Sequence, residues 1–70
     1  MTVLVTVNGD QRELPAGATV WSVIESLSTV PEGRGLAVAV DGVVVPRGAW
    51  SRTELTNGVH VEVLTAVQGG

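Results

Sequence analysis

Val3, Val5 and Val7 alternate with Thr2, Leu4 and Thr6. A period of two puts the valines on one face of an extended chain and predicts a strand over residues 2 to 7. Asn8-Gly9-Asp10 then reads as a turn, because Asn and Gly tolerate positive φ. Gln11 to Leu14 returns as a second strand, and Pro15-Ala16-Gly17 stops it. Beyond it the period changes. Val20, Val23, Ile24 and Leu27 recur at helical spacing as one apolar stripe, with Ser22, Glu25 and Ser26 opposite and Trp21 at the stripe's edge. Thr19 is placed to cap this short helix of about ten residues. Its β-branched content gives it little stability of its own, so it requires a sheet to pack on.

Pro31, Gly33 and Gly35 predict a loop. Leu36 to Val40 alternates again, with Leu36, Val38 and Val40 on one face. Asp41-Gly42 is a two-residue hairpin turn that leads into the strand Val43-Val44-Val45, and Pro46 ends that strand at a sheet edge. Residues 47 to 58 read as irregular, with Trp50 as an apolar anchor and Asn57-Gly58 as a tight turn. A last strand runs from Val59 to Leu64, with Val59, Val61 and Val63 inward and His60, Glu62 and Leu64 outward. This leaves one domain over residues 1–64 and a flexible tail over 65–70 that ends in Gly69-Gly70. Strand, strand, helix, strand, strand, strand is an α+β order that satisfies the two-layer rule with one core. The first and last strands can sit side by side at the centre of a mixed sheet of four to five strands, with the helix on one face, as in the β-grasp (ubiquitin-like) fold.

Composition narrows the function. Seventy residues form one small domain that buries only about 60% of its unfolded surface. Four Arg against seven acids give a net charge of −3, with no basic patch or run. That argues against nucleic acid and against an anionic membrane surface. No apolar run approaches a membrane span, and the first ten residues lack the pattern of a signal peptide, so the expected compartment is the cytoplasm. Cysteine is absent, which excludes a disulfide framework and an internal thiol nucleophile. Lysine is absent too, so the chain cannot receive an isopeptide bond on a lysine of its own. One His and no converging acids leave no catalytic residue and no metal site to name.

The chemistry therefore falls to the end of the chain. Gly69 and Gly70 have no Cβ, and such a peptide can enter a channel that rejects any side chain. The six residues from Thr65 to Gly70 reach roughly 20 Å when extended. Val67 and Gln68 give the tail some grip while it threads. The bland alternative for the glycine pair is a frayed end without a role.

The chain resembles the ThiS sulfur carrier family over nearly its whole length. The likeness rests on P-A-G-A-T-V-W, residues 15 to 21, and on residues 36 to 50, where Val45-Pro46-Arg47 and Trp50 look like the family's V-P-R-x-x-W pattern. It rests also on the diglycine, which the molybdopterin synthase small subunit and ubiquitin share. The resemblance implies a carrier that is not itself an enzyme. A ThiF-like, E1-type adenylyltransferase would use ATP to activate the Gly70 carboxylate, and the carrier itself would hold no cofactor. Sulfur from a persulfide donor would replace AMP and leave a thiocarboxylate. A ThiG-like thiazole synthase would then take that sulfur for the thiazole ring of thiamin. Other readings stay open: a sulfur carrier for molybdopterin, cysteine or a secondary metabolite, or a protein modifier joined through Gly70.

The expected partner-binding surface is the sheet face away from the helix, where Leu4, Ala37, Ala39 and Leu64 point outward and would form one small apolar patch. Scattered exposed apolar residues are the competing reading of Leu4 and Leu64. Arg47 reads either as a partner contact or as a donor to the neighbouring loop. Trp21 and Trp50 read as lids on the core or as stacking platforms. His60 reads as a solvated or partner-facing residue.

Overall fold

The structure, a computed structural model, describes residues 1–27 and 35–65. Five strands form one sheet: β1 Thr2–Val7, β2 Asp10–Pro15, β3 Leu36–Val40, β4 Val43–Val45 and β5 His60–Thr65. Helix α1 spans Val20–Leu27, between β2 and β3. Spatial order is β2-β1-β5-β3-β4, with β1 and β5 parallel and every other neighbouring pair antiparallel. The first and last strands thus lie together in mid-sheet, and the fold is the β-grasp.

Turn chemistry sets the two hairpins. Asn8 and Gly9 have φ of 50° and 87°, and Asp41 and Gly42 have 49° and 83°. Two successive positive φ angles match the right-handed twist of the strands they join, and Asn-Gly and Asp-Gly are the pairs that accept them at least cost. The turns bring Val7 opposite Asp10 and Val40 opposite Val43. Asp41 adds a lock: its Oδ1 accepts from the N–H of His60 at 2.9 Å, and its own N–H donates to the His60 carbonyl at 2.8 Å.

One face of the sheet carries the core. Val5, Val7, Val38 and Val61 are buried there against Val20, Val23 and Ile24 of the helix. Leu27 and Trp21 pack partly buried at the margin, as the stripe predicts. Thr19 caps α1 reciprocally with Ser22: the N–H of Ser22 donates to Thr19 Oγ1 at 3.4 Å, and the N–H of Thr19 donates to Ser22 Oγ at 3.1 Å. This is a capping box with Ser in the place of the usual Glu or Gln.

The segment after β4 is more ordered than the sequence reading allows. Arg47–Arg52 forms a 3₁₀ helix, entered from Pro46 in an extended conformation. Two turns of 3₁₀ helix are too short to carry a readable periodicity. After it, Thr19 and Glu54 form an isolated bridge, flanked by bonds from the N–H of Val20 to the Thr53 carbonyl at 3.0 Å and from the N–H of Leu55 to the Ala18 carbonyl at 2.8 Å. Leu55 is consequently one of the fully buried side chains. The expected loop residues Pro31 and Gly33 lie outside the described residues, whereas Gly35 has φ of 76° immediately before β3.

Candidate docking face and tail exit

β5 lies between β1 and β3, so whatever follows Thr65 leaves from the middle of the sheet. Leu36 pairs with Thr65, which places that exit at the end where β3 begins. Because β1 runs parallel to β5, the Asn8-Gly9 turn lies at the same end. The strand extends one residue into the tail expected from residue 65. Val67, Gln68, Gly69 and Gly70 lie outside the described residues.

The outward face divides the expected patch. Ala37 and Leu64 are direct cross-strand partners, and Ala39 pairs with Glu62 on one side and with Val44 on the other. Leu64, next to the exit, and Val44, two strands away on β4, are 60% and 71% exposed. Leu4 does not join them. Its carbonyl accepts from the N–H of Gly58 at 2.7 Å, so it sits where β5 is about to begin. Leu64 is six residues further on, about 20 Å away at about 3.3 Å per residue. The alternation alone gives each residue's face. Position along the face depends on the parallel register, and that register sets Thr6 beside His60. Val44 takes the place in the patch that Leu4 was expected to fill. Its membership follows from the two-residue Asp41-Gly42 turn, which pairs Val40 with Val43 and therefore Ala39 with Val44.

On the helix side a shallow cleft of about 400 Å³ is lined by Trp21, Arg47, Trp50 and Ser51. The two indoles stack with centroids 6.3 Å apart and planes inclined by 23°. Trp50 is 2% exposed and belongs to the core, and its Nε1–H donates to the Val45 carbonyl at 3.0 Å. It therefore closes the core rather than offering an open stacking face. The Arg47 guanidinium lies 5.9 Å from the centroid of the Trp50 ring, within cation–π range. His60 is exposed, with its backbone held by Asp41. Among the described residues no three His, Cys, Asp or Glu side chains gather where a metal ion could be held, and no helix is long and apolar enough to cross a membrane.

The profile of the ThiS family matches residues 5–70. The chain belongs to the ThiS family. The crystal structure of the thiamine biosynthesis protein ThiS from Geobacter metallireducens is similar, with a TM-score of 0.78 and 27% sequence identity over 97% of this chain and 100% of that one. No curated protein matches this sequence. Family membership supports a sulfur carrier in thiamin biosynthesis, and the five-stranded mixed sheet with α1 packed on one face is the family's β-grasp fold.

Proposed function

We propose that this chain is a non-enzymatic sulfur carrier whose Gly70 carboxylate is activated, converted to a thiocarboxylate and discharged into the thiazole of thiamin. The observation that carries the reading is the family match over residues 5–70, which includes the diglycine. An ionised carboxylate is a poor electrophile, so the Gly70 carboxylate must be activated before sulfur can attack it. In a ThiF-like partner, a Gly70 oxygen attacks the α-phosphate of ATP and pyrophosphate leaves. The terminal sulfur of a persulfide then attacks the acyl carbon and AMP leaves. A second thiol cuts the resulting S–S bond and frees the thiocarboxylate. A ThiG-like thiazole synthase accepts the sulfur.

In this scheme the carrier supplies delivery rather than chemistry. The body docks through the face around Ala37, Ala39, Leu64 and Val44. Residues 66–70 then place the reacting carbon inside the partner, which turns a bimolecular encounter into a positioned one. The proposed compartment is the cytoplasm, and ATP is bound by the activating enzyme alone.

The test is to incubate the chain with ATP, a ThiF-like adenylyltransferase and a persulfide source, then weigh the intact protein. The expected product has sulfur in place of one C-terminal oxygen, and adding a thiazole synthase with its other substrates restores the original mass. A chain that lacks Gly70 folds normally and shows no exchange. An unchanged mass in the intact chain, or exchange in the truncated one, overturns the reading.

A further inference from the structure

We infer that Asn8 is a positioning residue: its side-chain amide stands in for the strand missing beside the end of β5 and so fixes the direction in which the tail leaves the body. This rests on the carrier reading above. In a parallel ladder, alternate residues of one strand donate to one residue of the neighbour and accept from the residue two further on. β1 follows that rule. The N–H of Thr6 donates to the Val59 carbonyl at 3.0 Å, and the N–H of Asn8 donates to the Val61 carbonyl at 2.9 Å. The next rung should run from the N–H of Val63 to the carbonyl of Asn8. At φ of 50°, however, the backbone of Asn8 is already turning into β2.

The side chain makes the rung instead. Asn8 Oδ1 accepts from the N–H of Val63 at 2.8 Å, and Asn8 Nδ2 donates to the Val63 carbonyl at 3.1 Å. The pairing of β1 with β5 ends at Val61, whereas the pairing of β3 with β5 continues through Val63 and Leu64 to Thr65. Among the described residues, the last stretch of β5 thus has a full strand on one side and, on the other, this two-point clamp. Both bonds are exposed. Water can replace them, so their loss alters the freedom of the strand end more than the stability of the whole domain.

Asn57 provides an internal control. At the other end of the same ladder its Oδ1 accepts from the N–H of Leu4 at 2.8 Å, far from the exit. Asn8→Gly removes the amide and keeps a residue that accepts positive φ. Asn57→Ala removes the comparable bond without touching the tail end.

Two readouts separate positioning from general support. The first is amide hydrogen exchange on the carrier alone. In Asn8→Gly the Val63 amide is expected to exchange about tenfold faster or more, while Val38 and Val5 in the core keep their protection. The second is the kinetics of adenylation by the ThiF-like enzyme. Asn8→Gly should raise KM for the carrier by about tenfold with kcat nearly unchanged, and Asn57→Ala should leave both at the wild-type value. Unchanged exchange at Val63, an unchanged KM despite faster exchange, or an equal rise in KM for Asn57→Ala overturns the inference. If the wild-type chain is never adenylated, the carrier reading fails on its own account, and the clamp is judged by the exchange result, where unaltered Val63 protection overturns it.

Discussion

The indole N–H of Trp50 donates to the carbonyl of Val45 at 3.0 Å and so ties the 3₁₀ helix to the end of edge strand β4. The same ring is buried in the core, stacks on Trp21 and lies beside Arg47. Trp50→Ala should cost about 3–5 kcal/mol, as the loss of a large buried aromatic side chain does. At about 0.05–0.15 kcal/mol per residue a domain of this size holds roughly 3.5–10 kcal/mol in all, so the loss is a third of the total or more. The urea midpoint read by circular dichroism should fall sharply. Trp50→Phe keeps much of the packing but gives up the hydrogen bond, and should cost about 1–2 kcal/mol in urea denaturation. A neutral Trp50→Phe would show that the indole N–H contributes nothing.

The helix start offers a smaller and more local test. Thr19 and Ser22 satisfy each other's N–H groups at the first turn. Thr19→Ala should lower stability by about 1 kcal/mol, seen as a shifted urea midpoint with an unchanged slope. Thr19→Ser retains the acceptor oxygen and should stay close to wild type. Equal losses in the two variants would mean that the threonine methyl, not the cap, is what counts.

These two sites differ in how far the sequence alone reveals them. Thr19 precedes a clear apolar stripe at Val20, Val23, Ile24 and Leu27, and local rules suffice to place it. The strands β1, β3 and β5 are equally plain, because half-buried strands alternate and valine, with Leu36 on β3, supplies the inward face of each. The Asp41-Gly42 turn even dictates that Val44 faces outward with Ala39. The sequence is silent where position depends on a distant partner. Leu4 and Leu64 share a face by alternation, but only the parallel register of Thr6 with His60 shows that they lie at opposite ends of it. The rung from Asn8 to Val63 spans 55 residues of sequence and is invisible to any local pattern.

Leu55 was hidden for a related reason. It stands alone among Thr53, Glu54, Thr56 and Asn57, so no period marks it as interior. It is buried because its backbone N–H pairs with the Ala18 carbonyl and draws the segment against the helix start. Leu55→Ala should therefore cost about 2–5 kcal/mol, in the range of a core leucine rather than a loop residue. Glu54→Ala, one position earlier and exposed, should stay within about 0.5 kcal/mol of wild type. Thermal or urea unfolding of the two variants, measured side by side, checks this. Similar small losses in both would return the segment to the status of a plain surface loop.

The division of the outward face makes the sharpest functional prediction. Leu64 adjoins Ala37 next to the tail exit, whereas Leu4 lies beside Gly58 at the other end of the sheet. Both are exposed, at 60% and 42%, so replacing either with Asp should change stability by no more than about 0.5 kcal/mol. Their effects on docking should differ. A charge at position 64 would have to be desolvated against the partner's matching apolar surface. Leu64→Asp should weaken binding to the ThiF-like enzyme by about tenfold or more, equivalent to about 1.4 kcal/mol. Val44→Asp, two strands away on the same patch, should fall between that variant and wild type. Leu4→Asp should bind like wild type. Titration calorimetry on the folded variants reads all three. If Leu4→Asp proves as damaging as Leu64→Asp, the docking face spans the whole sheet. If neither weakens binding, the partner approaches from the helix side, where the Trp21–Arg47 cleft lies.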